Sequence, residues 1–222
     1  MKLPSYFDEV PRLTMQDPLA RVLGCAEDGI LDYGFADAVR LTGHSCVAVA
    51  SAYWLTWLAL EQLYPDGLPQ RGGIKVEFRD DARSGGTGVV ATVVQMLTGA
   101  AGGSGFKGLG GRFSRAGLIR SKPDLVLALR FTRLDTQAAV DVGVDTTSLP
   151  GQAELDVLVA LLASGKATPQ DEKDLGELWQ ARVRTLLLER GRDRTVFMVR
   201  PVHRLGGAAG LPHSPEAAEA FA

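Results

Sequence analysis

The strongest pattern along the chain is a run from Gly43 to Leu63 in which apolar residues fall on every face of a helix. Val47, Ala50, Trp54, Trp57, Leu58 and Leu60 carry it. A helix apolar all round belongs inside a core rather than on a surface. The breaker cluster Tyr64-Pro65-Asp66-Gly67 ends it. Upstream, Asp17-Pro18 reads as an N-cap followed by proline at the first helical position, which opens a short helix through Leu23. Ile30 to Phe35 predicts a strand and Ala36 to Leu41 a helical turn. Gly73 to Arg79 alternates apolar and polar residues, the mark of a half-buried strand. Gly86 to Leu97 predicts a second apolar helix. Strand character returns at Arg112-Phe113, over Asp124 to Leu134 and over Val140 to Val144.

The pattern changes after Pro150. Ala153 to Leu162 predicts a helix. Thr168-Pro169-Gln170-Asp171 combines a cap residue, a proline and an acid three positions on, which starts another. Val196 to Val202 reads as a last strand. The predicted class is α+β. An antiparallel or mixed sheet packs against the long buried helix, with a helical pair over 150–190 beside it. One domain is expected over 1–205, with 206–222 as a flexible tail.

Composition narrows the function. The chain has 222 residues, a formal charge of −2, two cysteines and three histidines. That charge removes the usual electrostatic case for nucleic acid. Two Cys do not make a disulfide framework, and the Cys and His together cannot supply a zinc ribbon or a four-cysteine cluster. The first residues show no leader signature. Leu41 to Leu60 lacks charged residues for the length of a membrane span, but Thr42, His44, Ser45, Ser51 and Thr56 interrupt it. A cytoplasmic protein without a membrane segment is expected.

Three constellations carry candidate chemistry. Gly43-His44-Ser45-Cys46 places a cysteine at the start of the core helix, where the dipole and unpaired amides favour thiolate. Thiolate with imidazole suits zinc or another transition metal; it equally forms a nucleophile with its base. The plain alternative is a small packed thiol and a capping histidine. Gly103-Ser104-Gly105-Phe106-Lys107-Gly108 matches the dinucleotide-binding pattern in letters. It follows a helix instead of a strand, so a Rossmann site is rejected. Seven glycines in residues 99 to 111 still allow an anion cradle, with Thr98, Gly105, Lys107 and Arg79 as ligand contacts, or a merely flexible link. Cys25 is a candidate second thiolate or a packed side chain. His203 and His213 read as surface residues. Glu77, Arg79, Asp80, Asp81 and Arg83 form a charged cluster at a strand end.

Residues 37 to about 119 resemble the FmdE-like family, which takes its name from formylmethanofuran dehydrogenase. Asp37 to Cys46 is similar to its G-H-x-C signature at a helix start. Ala59-Leu60-Glu61-Gln62-Leu63 is similar to its A-L-E-x-L helix end, Val94 to Gly99 to its I-Q-x-L-T-G segment, and Gly105 to Gly108 to its G-K-G turn. The resemblance implies an α+β core, a homodimer, and a metal or catalytic centre on His44 and Cys46. The chain departs from the pattern at Val47-Ala48, where the family often has Pro-Gly. It departs again at Val89 and Ala100, where thiols are common, and it lacks the C-terminal zinc ribbon of some members.

Overall fold

The structure, a computed structural model, describes residues 2–81 and 85–202. The expected tail at 206–222, with His203, His213 and Arg83, lies outside the described residues. A one-turn helix at Ser5–Glu9 leads into β1 (Leu13–Gln16), α1 (Pro18–Val22) and β2 (Ile30–Tyr33). β1 and β2 pair antiparallel as a two-stranded sheet. Asp17 caps α1 as its sequence demands: its carboxylate accepts from the N–H groups of Leu19 and Ala20.

Next come α2 (Phe35–Thr42), α3 (Val47–Leu63), β3 (Ile74–Phe78) and α4 (Thr87–Thr98). α3 starts four residues later than its apolar run, because Gly43 at φ +77° terminates α2 and Cys46 is extended as the N-cap. Glycine tolerates that left-handed position at no steric cost. Twelve of the 17 residues of α3 are buried. The helix is therefore the centre of the core that its composition predicts.

β4 (Ile119–Ser121), β5 (Leu129–Arg133) and β6 (Ala139–Val144) follow. α5 (Gln152–Ala163), α6 (Pro169–Arg184) and β7 (Phe197–Pro201) complete the chain, with a π-helical turn at Thr185–Glu189 between the last two. The larger sheet has the order β4-β3-β5-β6-β7 and is mixed, since only β3 and β4 run parallel. α+β is the observed class. One face of this sheet supplies Ile74, Val76, Phe131, Val140 and Val142 to the core around α3. The opposite face carries Glu77, Arg130, Asp141 and Arg200 in direct register across four strands. Opposite charges alternate along that row, and Arg130 grips Asp141 through two bonds of 2.6 and 2.8 Å. No helix among the described residues is long and apolar enough to cross a membrane.

Candidate functional site

His44 and Cys46 sit in the link between α2 and α3. The Nδ1 of His44, an exposed residue, lies 3.0 Å from the Thr42 carbonyl oxygen. Cys46 is half-buried, and its Sγ accepts from the Val49 N–H at 3.5 Å. Sulfur thus fills the capping role usually taken by a serine or aspartate oxygen. No hydrogen bond joins His44 to Cys46 among the described residues, so the imidazole is not placed as a base for the thiol. Cys25 is exposed in the turn after α1, and both cysteines are free. Among the described residues no three His, Cys, Asp or Glu stand together as a metal-holding group. Val89 and Ala100 bring no donor to the region. Two ligands do not close a zinc shell, so the donor set within the described chain does not fit a metal, and no chemistry is routed through one.

The glycine-rich segment is folded, and the amides of Gly99, Ala100, Ala101, Gly105 and Leu109 are occupied within the protein. α4 ends at Gly99 in the left-handed conformation. From there the chain makes a clasped excursion to Leu118. Ala101 N–H donates to Arg115 O, Gly105 and Gly117 N–H to Gly102 O, and Arg115 and Ala116 N–H to Phe106 O. Leu109 and Arg112 exchange a pair of backbone bonds at the tip. Gly105 is a close-approach residue: a Cβ there would stand 2.4 Å from that of Ala101. The bonds therefore build the excursion itself.

Thr98 is fully buried, with its hydroxyl donating to Val94 O and accepting from Ala100 N–H. Lys107 is exposed. Arg79 pairs with Asp80 beyond the far end of β3. The structure brings Gly105 and Phe106 to a cleft with Gln95, Met96 and Gly99, and leaves Thr98 and Arg79 out of it.

That cleft surrounds a group that local sequence reading misses. Asp17 is 3% exposed and receives two guanidinium groups. Arg71 Nη1 donates to its Oδ2 at 2.8 Å, and Arg115 Nη2 to its Oδ1 at 2.7 Å. Arg71 also caps the C-terminus of α4, with Nε and Nη2 on the carbonyls of Met96 and Leu97. Arg115 is only 7% exposed, and its Nη1 has no hydrogen-bond partner among the described residues. This nitrogen lies over Gly72 and Gly99, where a Cβ would meet it at 2.1 and 2.5 Å. Burial of Asp17 works to raise its pKa. The bonds from Arg71 and Ala20, with the charges of Arg115 and Arg71, outweigh that and hold it below the usual carboxylate range. Burial, in turn, pulls the Arg115 guanidinium below its ordinary value, although Asp17 opposes this.

Arg71 and Arg115 line two cavities. One, of about 350 Å³, is shared with Gln70, Arg112, Phe113 and Ser114. The other, of about 430 Å³, adds Leu19, Leu41, Gln95, Met96 and Phe106. Phe113 holds φ at +62°, a conformation rare for a bulky side chain, and the Arg112 guanidinium lies 4.8 Å above its ring. A sequence signal for this cluster exists. The 42 residues 82–123 contain six Lys or Arg and no Asp or Glu, within a chain of net charge −2. A larger cleft of about 610 Å³ beside β7 also carries arginines; Arg192 there is paired with Glu61, while Arg194 and Arg200 make no side-chain bond among the described residues.

Comparison with family models returns no match for this chain, and comparison with curated proteins returns none.

Proposed function

We propose that this protein binds a small organic anion, a carboxylate or phosphate ester with an apolar body, through arginines rather than through a metal. The observation that carries the reading is the pair of guanidinium groups on one buried carboxylate. Asp17 and the α4 carbonyls occupy Arg71, and among the described residues nothing accepts from Arg115 Nη1. A buried excess of positive charge is costly until an anion meets it. Arg112 on the excursion tip supplies a further cation at the mouth, and Leu19, Leu41, Met96 and Phe106 supply an apolar wall. Charge-assisted guanidinium bonds would give orientation and the apolar wall would give contact area.

Thermal unfolding in the presence of EDTA tests it, with benzoate and phenyl phosphate as probes. At ten times its Kd a ligand stabilises by ~1.4 kcal/mol, worth about 3–5 °C in a chain of this size. Arg112→Ala leaves the Asp17 cluster intact and should weaken binding about ten-fold, the equivalent of one charge-assisted bond. Absence of any anion-dependent shift, or equal shifts in wild type and Arg112→Ala, overturns the reading.

A second reading rests on the family resemblance. Cys46 and His44 would hold zinc or another transition metal, with further donors from a second copy in a homodimer or from a ligand. Its support is the placement of Cys46 at the N-terminus of the central helix. Metal content below about a tenth of an equivalent, unchanged by Cys46→Ala, rejects it. The homodimer has one supporting feature: α5 leaves Val157, Val159 and Leu162 exposed. Light scattering in solution decides that point.

A further inference from the structure

A different cavity lies at the other end of α4 from the arginine cluster. It holds about 300 Å³ between the first turns of α3 and α4 and the ends of β3, β5 and β6. Val47, Ala48, Ala52, Leu55, Phe78 and Val90 make most of its wall, and they are carbon throughout. Ser51 interrupts that wall. It is 5% exposed, it lines the cavity, and its hydroxyl has no hydrogen-bond partner among the described residues. A serine in a helix usually turns its hydroxyl back on the preceding turn, as Thr56 does onto Ala52 O and Thr98 onto Val94 O. Ser51 makes no such bond. Thr87 and Thr146 line the same cavity, and neither hydroxyl has a partner among the described residues. None of these three hydroxyls is a fully enclosed unpartnered atom, so each stays open to water or to a ligand in the cavity.

Among the described residues the one charged lining residue is Asp80, and Arg79 already holds it at 3.1 and 3.3 Å. No described cation lines the cavity. An apolar wall with hydroxyls, and with no free charge among the described residues, matches an uncharged molecule with one hydroxyl or carbonyl. The volume admits roughly ten non-hydrogen atoms, judged against benzene filling a cavity of about 150 Å³. We propose that this cavity is a binding site for a small neutral alcohol or ketone, with Ser51 as the residue that recognises its oxygen. The site is independent of the anion reading: the two lie at opposite ends of a 12-residue helix, about 18 Å apart along its axis.

The experiment uses the full chain with ¹³C-labelled alanine and valine methyl groups, titrated with 2-phenylethanol, toluene, benzoate and benzylamine. The expected result is a saturable shift of the Ala48, Ala52, Ala128 and Val144 methyls with 2-phenylethanol and a weaker one with toluene. Ser51→Ala should weaken 2-phenylethanol about five-fold and leave toluene unchanged, a difference that general loosening of the core would not produce. Ala48→Leu, which fills the mouth, should abolish both. The proposal is overturned if no cavity methyl shifts. It is also overturned if Ser51→Ala changes both probes alike or neither, if Ala48→Leu retains binding, or if benzoate or benzylamine binds as tightly as the alcohol.

Discussion

Asp17 gathers four donors on one carboxylate, which accepts from the N–H groups of Leu19 and Ala20 and from Arg71 and Arg115. Asp17→Asn leaves the buried Arg115 and the half-buried Arg71 without their counter-charge, a change of about 3–5 kcal/mol for buried pairs. The pH dependence has a fixed sign. Asp17 is held below its ordinary value near 3.9. Its contribution is therefore complete above that value and is lost as pH falls through the lower folded value. Urea midpoints of wild type and Asp17→Asn should differ widely at pH 7 and converge as pH falls through that lowered value. Phe113 offers a second test at this scale. A left-handed conformation costs a bulky residue about 1–2 kcal/mol, so Phe113→Gly should raise the unfolding midpoint of the free protein. The same change removes the ring under Arg112 and should weaken benzoate; stronger benzoate binding would dissociate Phe113 from the anion site. The N-cap role of Asp17 was legible beside Pro18. Its arginine partners were not, because they stand 54 and 98 residues away and no local pattern encodes such a pairing.

Elements were legible where periodicity was long. α3, α4, α5 and α6 all fall within a few residues of their apolar runs. Two short strands were not: β1, with four residues, and β4, with three, fall below any clear period. The expected strand over 124–134 shrinks to Leu129–Arg133, although Leu125 and Leu127 are buried as their alternation suggests. Arg112-Phe113 enters only an isolated bridge, because the hairpin tip turns too tightly for a ladder. The lock between α3 and the chain beyond α6 was equally invisible. Trp54 Nε1 donates to Gly191 O at 2.7 Å, and a Cβ on Gly191 would stand 2.5 Å from Leu187 O and 2.9 Å from the Trp54 ring. Gly191→Ala should lower stability by about 1–3 kcal/mol, with a red-shifted tryptophan emission in the variant. An unchanged melting point would mean that the turn relaxes freely.

Across the whole molecule, charge is segregated rather than low. Residues 82–123 carry +6, so the remainder of the chain carries −8 to reach the net of −2. Anion association at the arginine cluster should accordingly slow as salt rises. Buried tyrosines set the alkaline limit of the fold. Burial pushes the Tyr6 hydroxyl up to about 12 and raises Tyr53 as well. A raised value means that the folded state favours the neutral phenol. Stability is therefore full below the ordinary value near 10 and is lost as pH climbs from there toward 12. Circular dichroism should show a cooperative alkaline transition in that window. Tyr6→Phe gives up a 2.8 Å bond to Gln180 and should still move the transition upward.

The clasp at Phe106 O has a consequence for how this protein can diversify. Two amides, those of Arg115 and Ala116, close on that one carbonyl and isolate the intervening tip from the body of the molecule. Chain inserted near Gly110 changes only the length of a loop whose ends are already fixed. Doubling such a loop adds only ~0.6 kcal/mol of closure entropy. The tip behaves as an adjustable visor over a permanent anchor. Its reach can be retuned while Arg115, buried at the foot of the excursion, keeps its seat.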